Sequence, residues 1–164
     1  MPVHAGAGFL DEPGSRAHEP PSSEHFKMDT TPESGAGNVE PRTVEQVTAT
    51  PAALELIDKL KTAHGDLMFH QSGGCCDGSA PMCFAAGEFV LGDADRLLGH
   101  IGGMPFYIGQ AQYAYWKHTQ LIIDVVPGRG GMFSLEGSTG FRFLTRSRLF
   151  DDAEWSILEQ DGRV

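Results

Sequence analysis

No run of about 18 apolar residues, the length a bilayer-spanning helix needs, occurs in the chain, so no membrane span is expected. The N-terminus has no apolar segment of the kind that marks a secretory signal. Clustered Lys and Arg are missing as well. Twelve bases face 22 acids for a formal charge of −10, which argues against nucleic acid as a partner because phosphate backbones are held by grouped cations. Cysteine is scarce and odd in number, three in all. Without an export signal this points to a reducing, cytoplasmic setting, where cysteines serve as metal ligands, reactive thiols or packed core groups more often than as disulfides. No internal repeat is present. No glycine spacing of a dinucleotide or P-loop site occurs, so no nucleotide cofactor is expected.

Large apolar side chains are rare in the first 46 residues, which are rich in Pro, Gly, Ser and Glu. There Asp11, Glu12, Glu19, Glu24, Asp29, Glu33, Glu40 and Glu45 outnumber Arg16, Lys27 and Arg42. Such a stretch cannot bury enough apolar surface to offset the entropy of ordering it. Residues 1–46 therefore read as a disordered acidic tail, and Met28 within it is an alternative start to Met1. The remainder is long enough for one core.

From Thr50 the pattern becomes that of a helix over 51–64. Thr50 suits the N-cap and Pro51 the first helical position. Ala53, Leu56, Ile57, Leu60 and Ala63 form one apolar stripe, and Gly65 is placed to end the helix as a left-handed cap. Short runs of strand formers follow: Asp66–His70, Glu88–Leu91, Met104–Ile108 with Pro105 at an edge or strand start, Gln120–Val126 as the longest and central one, Met132–Glu136, and Phe141–Thr145. Gly137–Gly140 reads as a hairpin turn between the last two. Residues 109–118 are ambiguous, with Ala111, Tyr115 and His118 on one face if helical. Asp151–Gln160 reads as a terminal helix capped by Asp151. The expected fold is α+β and mainly β: an N-terminal helix, then a compact antiparallel or mixed sheet of about six short strands. One globular domain over 47–152 is expected, with 153–164 as a C-terminal helix or tail.

The chemistry-bearing residues concentrate after the first strand, in His70-Gln-Ser-Gly-Gly-Cys75-Cys76-Asp77-Gly78 and the downstream Cys83. Glycines there permit positive φ and close backbone approach, so the segment can fold around an ion, present a thiolate, or simply turn. Soft metals need thiolate or imidazole ligands, usually three or four. Cys75, Cys76, Cys83 and His70 supply these types, with His118 and Asp77 as further candidates. Adjacent side chains diverge, so one of Cys75 and Cys76, with Cys83 and His70 or His118, makes the easier site. The same residues also fit a nucleophilic reading. A cysteine from the pair, a base from His70 or His118, and an orienting carboxylate from Asp77 or Asp124 would form it. Iron, zinc and copper all fit the ligand types. In the bland alternative Cys83 is a small core hydrophobe and the cysteine pair caps a turn.

Asp124 lies within the apolar run Leu121–Val126, where a carboxylate must be hydrogen-bonded or face solvent. Arg142, Arg146 and Arg148 share a strand face, either as a small anion site or as a solvated face. Gly128-Arg-Gly-Gly131 lies between two expected strands and reads as a hairpin or bulge, with Arg129 at its tip a candidate for gripping an acid on a partner.

The run Thr50-Pro-Ala-Ala53 followed by Gly65-Asp-Leu-Met-Phe-His-Gln-Ser-Gly-Gly-Cys-Cys-Asp-Gly-Ser-Ala-Pro-Met-Cys83 resembles a small bacterial family catalogued as domain of unknown function number 779. Leu98–Tyr107, Trp116–Val125 and Gly131–Glu136 through Arg146 match it too, so the resemblance covers about residues 47–152. Members are often encoded beside aldehyde dehydrogenases. That implies an accessory role in aldehyde or alcohol metabolism, with such a dehydrogenase as partner. It leaves a homo-oligomer open. A second resemblance is of fold: the HesB-like A-type iron–sulfur carriers also begin with a Thr-x-x-Ala helix and a strand. They share a Gly-Gly-Cys-x-Gly turn similar to Gly74–Gly78, and a hairpin ending like Gly140-Phe-Arg-Phe143. Their C-terminal Cys-Gly-Cys is absent here, since no cysteine follows Cys83. The sequence thus presents a small metal-binding accessory protein as the first expectation. A cysteine-dependent enzyme or redox protein acting on a small aldehyde or thiol adduct, and a non-catalytic interaction module, stand beside it.

Overall fold

The computed structural model describes residues 42–71, 73–74 and 78–164. Cys75, Cys76 and Asp77, and the acidic stretch up to residue 41, lie outside them. The described part is α+β and mostly strand, with seven strands in two sheets. It begins with a short strand, β1 (Val47–Ala49), and helix α1 (Pro51–His64). Thr50 caps α1 as its sequence predicts, accepting from the Ala53 N–H at 3.2 Å. Gly65 takes the expected positive φ of 81°, but with an extended ψ of −150° instead of the left-handed value. Ala53, Leu56, Ile57 and Leu60 are the buried stripe.

One sheet has the order β1-β6-β7, where β6 is Thr119–Pro127 and β7 is Phe141–Leu149. β6 is central as expected, antiparallel to β7 and parallel to β1, with Val47 opposite Leu121. The other sheet has the order β3-β2-β5-β4, with β2 Leu67–Gln71, β3 Met82–Ala85, β4 Asp95–Ile101 and β5 Met104–Gly109. β2 and β5 are parallel; the other two pairings are antiparallel. Pro105 is the second residue of β5. Helix α2 (Gln110–Trp116) resolves the ambiguous segment, and α3 (Asp152–Gln160) is closed by a capping box in which Asp151 and Glu154 bond each other's backbone N–H.

Two expected strands are absent. Glu88–Leu91 is a turn and loop. Met132–Glu136 runs through a turn into a 3-10 segment, Leu135–Ser138, so no Gly137–Gly140 hairpin forms; β6 and β7 are joined by the long connection 128–140. The physical cause lies in Ser134 and Glu136. Both are buried, and the Ser134 hydroxyl donates to the Glu136 carboxylate, which curls the backbone inward where an alternating strand would run straight. The single mixed sheet expected from the sequence is in fact two sheets, because a continuous apolar layer fills the space between them. Phe69, Phe106, Ile108 and Cys83 of one sheet and Leu121, Ile123 and Phe143 of the other are fully buried, with α1 closing the side. Phe69 stacks on Phe106 and meets Phe143 edge to face with ring centroids 5.4 Å apart. Each such side chain contributes about 1.5–3 kcal/mol on burial. Burial starts at Val44 and Gln46, just ahead of β1.

Candidate functional site

Strand geometry decides which of the candidate residues can meet. Across β2 and its neighbours, Phe69 stands opposite Cys83 and Phe106, while His70 stands opposite Met82 and Tyr107. Successive side chains on a strand point to opposite faces. Cys83 therefore faces the core with Phe69, and His70 faces outward. The structure does not bring these two proposed ligands together. Cys83 is a free, fully buried thiol. Burial, reinforced by the charge of Glu136, pushes its pKa up to about 12, so it stays a thiol at neutral pH and behaves as a small core hydrophobe.

His118 lies apart from both. It follows α2, is exposed, and stacks on Trp155 of α3 with centroids 4.6 Å apart. Among the described residues no group of three or more His, Cys, Asp or Glu side chains is placed to hold a metal ion.

On the outer face His70 has a defined environment. It is 5% exposed, and its Nε2 lies 2.8 Å from Oδ1 of Asp95, the first residue of β4. The other Asp95 oxygen accepts from the Gly92 N–H at 2.8 Å. That backbone bond, then the bond with His70, hold the Asp95 carboxyl below its ordinary range, so it is an anion at neutral pH. Phe89 roofs the imidazole at 4.6 Å and stacks in turn on Phe84. The Glu88–Leu91 run that its composition marked as a strand is thus a cover over His70. Asp95 was not legible as a partner: it is 25 residues away in sequence and belongs to no motif.

The segment between β2 and β3 is held at both ends. The buried Gln71 side chain donates to the Gly73 carbonyl at 2.5 Å and the Ser79 hydroxyl at 3.2 Å, and accepts from the Thr145 hydroxyl at 2.9 Å. The Gly78 N–H donates to the Thr145 carbonyl, and the Thr145 N–H to the Ser79 carbonyl, both at 2.7 Å. Trp116 donates its indole N–H to the Gly74 carbonyl at 3.3 Å. Residues on either side of Cys75–Asp77 are therefore anchored to β7 and α2. Gln71, Thr145 and Trp116 do this positioning, and nothing in their spacing announced it.

Asp124, Arg146 and Arg148 have structural roles. Asp124 accepts from the Thr50 hydroxyl at 2.9 Å, its neighbour's Val125 N–H at 2.8 Å and Arg146 at 2.8 Å, which ties the start of α1 to β6 and β7. The Arg146 bond is the main reason its pKa is lowered. Arg148 grips Glu154 through two bonds of 2.8 and 2.7 Å. Arg146 and Arg148, two of the three arginines of that strand face, are both engaged by acids of this chain.

With the geometry in view, the family is plain. The model of the family described as domain of unknown function (DUF779) matches residues 56–149, and the chain belongs to that family. No curated protein matches the chain.

Proposed function

We propose that the protein is a small metal-binding accessory protein whose site is built on His70. The observation that carries this is the His70–Asp95 pair at 2.8 Å, in which His70 is buried and Asp95 partly buried. A carboxylate bonded to one ring nitrogen fixes the tautomer and orientation of an imidazole ligand, which is the outer-shell arrangement around metal-bound histidines. The thiolate ligands would come from Cys75 and Cys76, with Asp77 as a further oxygen donor, next in sequence to the residues that Gln71, Trp116 and Thr145 anchor. Cys83 and His118 take no part in this reading. Iron, zinc and copper all suit imidazole and thiolate. Service to an aldehyde dehydrogenase rests on the family resemblance.

The test is metal analysis of anaerobically purified protein. The wild type should carry close to one equivalent. His70→Ala and Cys75→Ser/Cys76→Ser should lose it, and Cys83→Ala should keep it. Equal metal content in all four sinks the proposal.

The same pair also supports a second reading, in which Asp95 orients His70 as the base for a cysteine nucleophile acting on a small aldehyde or thiol adduct. That reading predicts one thiol alkylated fast by iodoacetamide near neutral pH, slowed by Asp95→Asn. Uniformly slow alkylation removes it.

A further inference from the structure

The long connection between β6 and β7 encloses an open cavity of about 760 Å³, bounded by residues 129–135, Gly137, Ser138 and His64 at the end of α1. We propose that this cavity binds a small organic carboxylate bearing an apolar group, with Arg129 holding the anion and Met132, Phe133 and Leu135 receiving the apolar part.

Charge is the first observation. The chain carries 22 acids against 12 bases, yet among the described residues no acid lines this cavity and a guanidinium does. Among the described residues Arg129 has no acidic partner, whereas Arg146 and Arg148 each have one. An unpaired planar cation in a concave, acid-free site on an acidic protein is suited to a carboxylate, which it can grip through two parallel bonds.

Apolar exposure is the second. Met132 is 91% exposed and Phe133 75%, side by side on the cavity wall. Inorganic phosphate has no use for such a wall, whereas a carboxylate with an aryl or alkyl group does.

The third is the wall itself. A Cβ on Gly130 would lie 2.7 Å from Oε1 of Glu136, and one on Gly137 would lie 3.1 Å from the Gly131 carbonyl. Glycine at both positions spares the loop these close contacts where it closes on itself. Behind Gly130, Glu136 is fully buried, and among the described residues its Oε1 has no hydrogen-bond partner. Burial raises the pKa of that carboxyl, and it does not line the cavity.

The experiment is a titration of the full chain with benzoate and, separately, benzamide, followed by amide nitrogen–proton spectra. Benzoate should give saturable shifts at Gly130, Gly131, Ser134 and Gly137. Benzamide, which lacks the charge, should bind roughly tenfold more weakly or worse. Arg129→Ala, at an exposed position that leaves the rest of the spectrum in place, should weaken benzoate by a similar factor. Phe133→Ala should weaken both probes. Absence of saturable shifts at these amides, equal binding of benzoate and benzamide, or undiminished binding to Arg129→Ala each overturns the proposal.

Discussion

The side chains of Gln71 and Thr145 meet 2.9 Å apart inside the core, one at the end of β2 and the other in the middle of β7, and so join the two sheets with a polar bond. Both residues are fully buried, and Gln71 also holds Gly73 and Ser79. Gln71→Leu should therefore strand a buried hydroxyl and cost about 1–3 kcal/mol. Urea unfolding measures it, and combining the change with Thr145→Val should cost less than the sum of the two single changes. Strict additivity would show that the bond does not couple the sheets.

Cys83 should be chemically silent in the native protein. Its pKa near 12 and complete burial leave almost no thiolate at pH 8. Titration with Ellman's reagent should reveal at least one more thiol in denaturant than in native buffer, and Cys83→Ala should reduce that difference by one. Rapid native reaction of Cys83, followed by peptide mapping, would contradict the burial argument.

Gly99 packs against β1 so closely that a Cβ would sit 2.9 Å from Cγ1 of Val47. Gly99→Ala should overpack this contact and destabilise by about 1–3 kcal/mol. Adding Val47→Ala should recover part of the loss by removing the opposing methyl groups. A melting temperature unchanged by Gly99→Ala would mean that the sheets separate freely here.

Glu136 should make stability fall as pH rises. Its folded pKa is raised by burial. Between the ordinary glutamate value and that raised value the native state binds more protons than the unfolded one, so stability is full below the ordinary value and is lost as pH climbs through the folded value. Asp95 and Asp124, whose pKa values are lowered, act in the opposite sense and lose their contribution as pH drops. Melting temperatures of the wild type and Glu136→Gln from pH 4 to pH 8 separate the two: the wild type should decline across this range relative to the variant. Parallel curves would show that Glu136 ionises normally.

How much of this was legible in the sequence depended on where the information lay. α1 could be read to the residue, because Thr50, Pro51 and the apolar stripe are local signals that agree with one another. β6 was visible because its apolar run is long enough to be central. β3 and β4 were missed: Met82–Ala85 is short, and Asp95–Ile101 mixes charged residues and glycine because a bulge between Leu97 and Gly99 breaks its alternation. The strand misread at Glu88–Leu91 has the right residue types, but Phe89 leaves the sheet to cover His70. At the site, His70 was identifiable by its neighbours in sequence, but Asp95 was not, since it reaches His70 only through the order β3-β2-β5-β4. The grouping of Cys83 with His70 failed for a reason of strand parity: they stand on successive rungs of the β2–β3 ladder, and successive rungs present opposite faces.

The parallel pairings bear on how the chain reaches this shape. Val47 finds its rung beside Leu121, and Phe69 beside Phe106, so each sheet waits for a segment synthesised well after its partner. Closing such large loops comes before any reward from contact, which slows folding toward the millisecond-to-second regime of β-rich topologies. On the ribosome β1 has nowhere to pair until β6 has emerged, and a chain cut short before residue 119 leaves an unmatched strand edge open to aggregation.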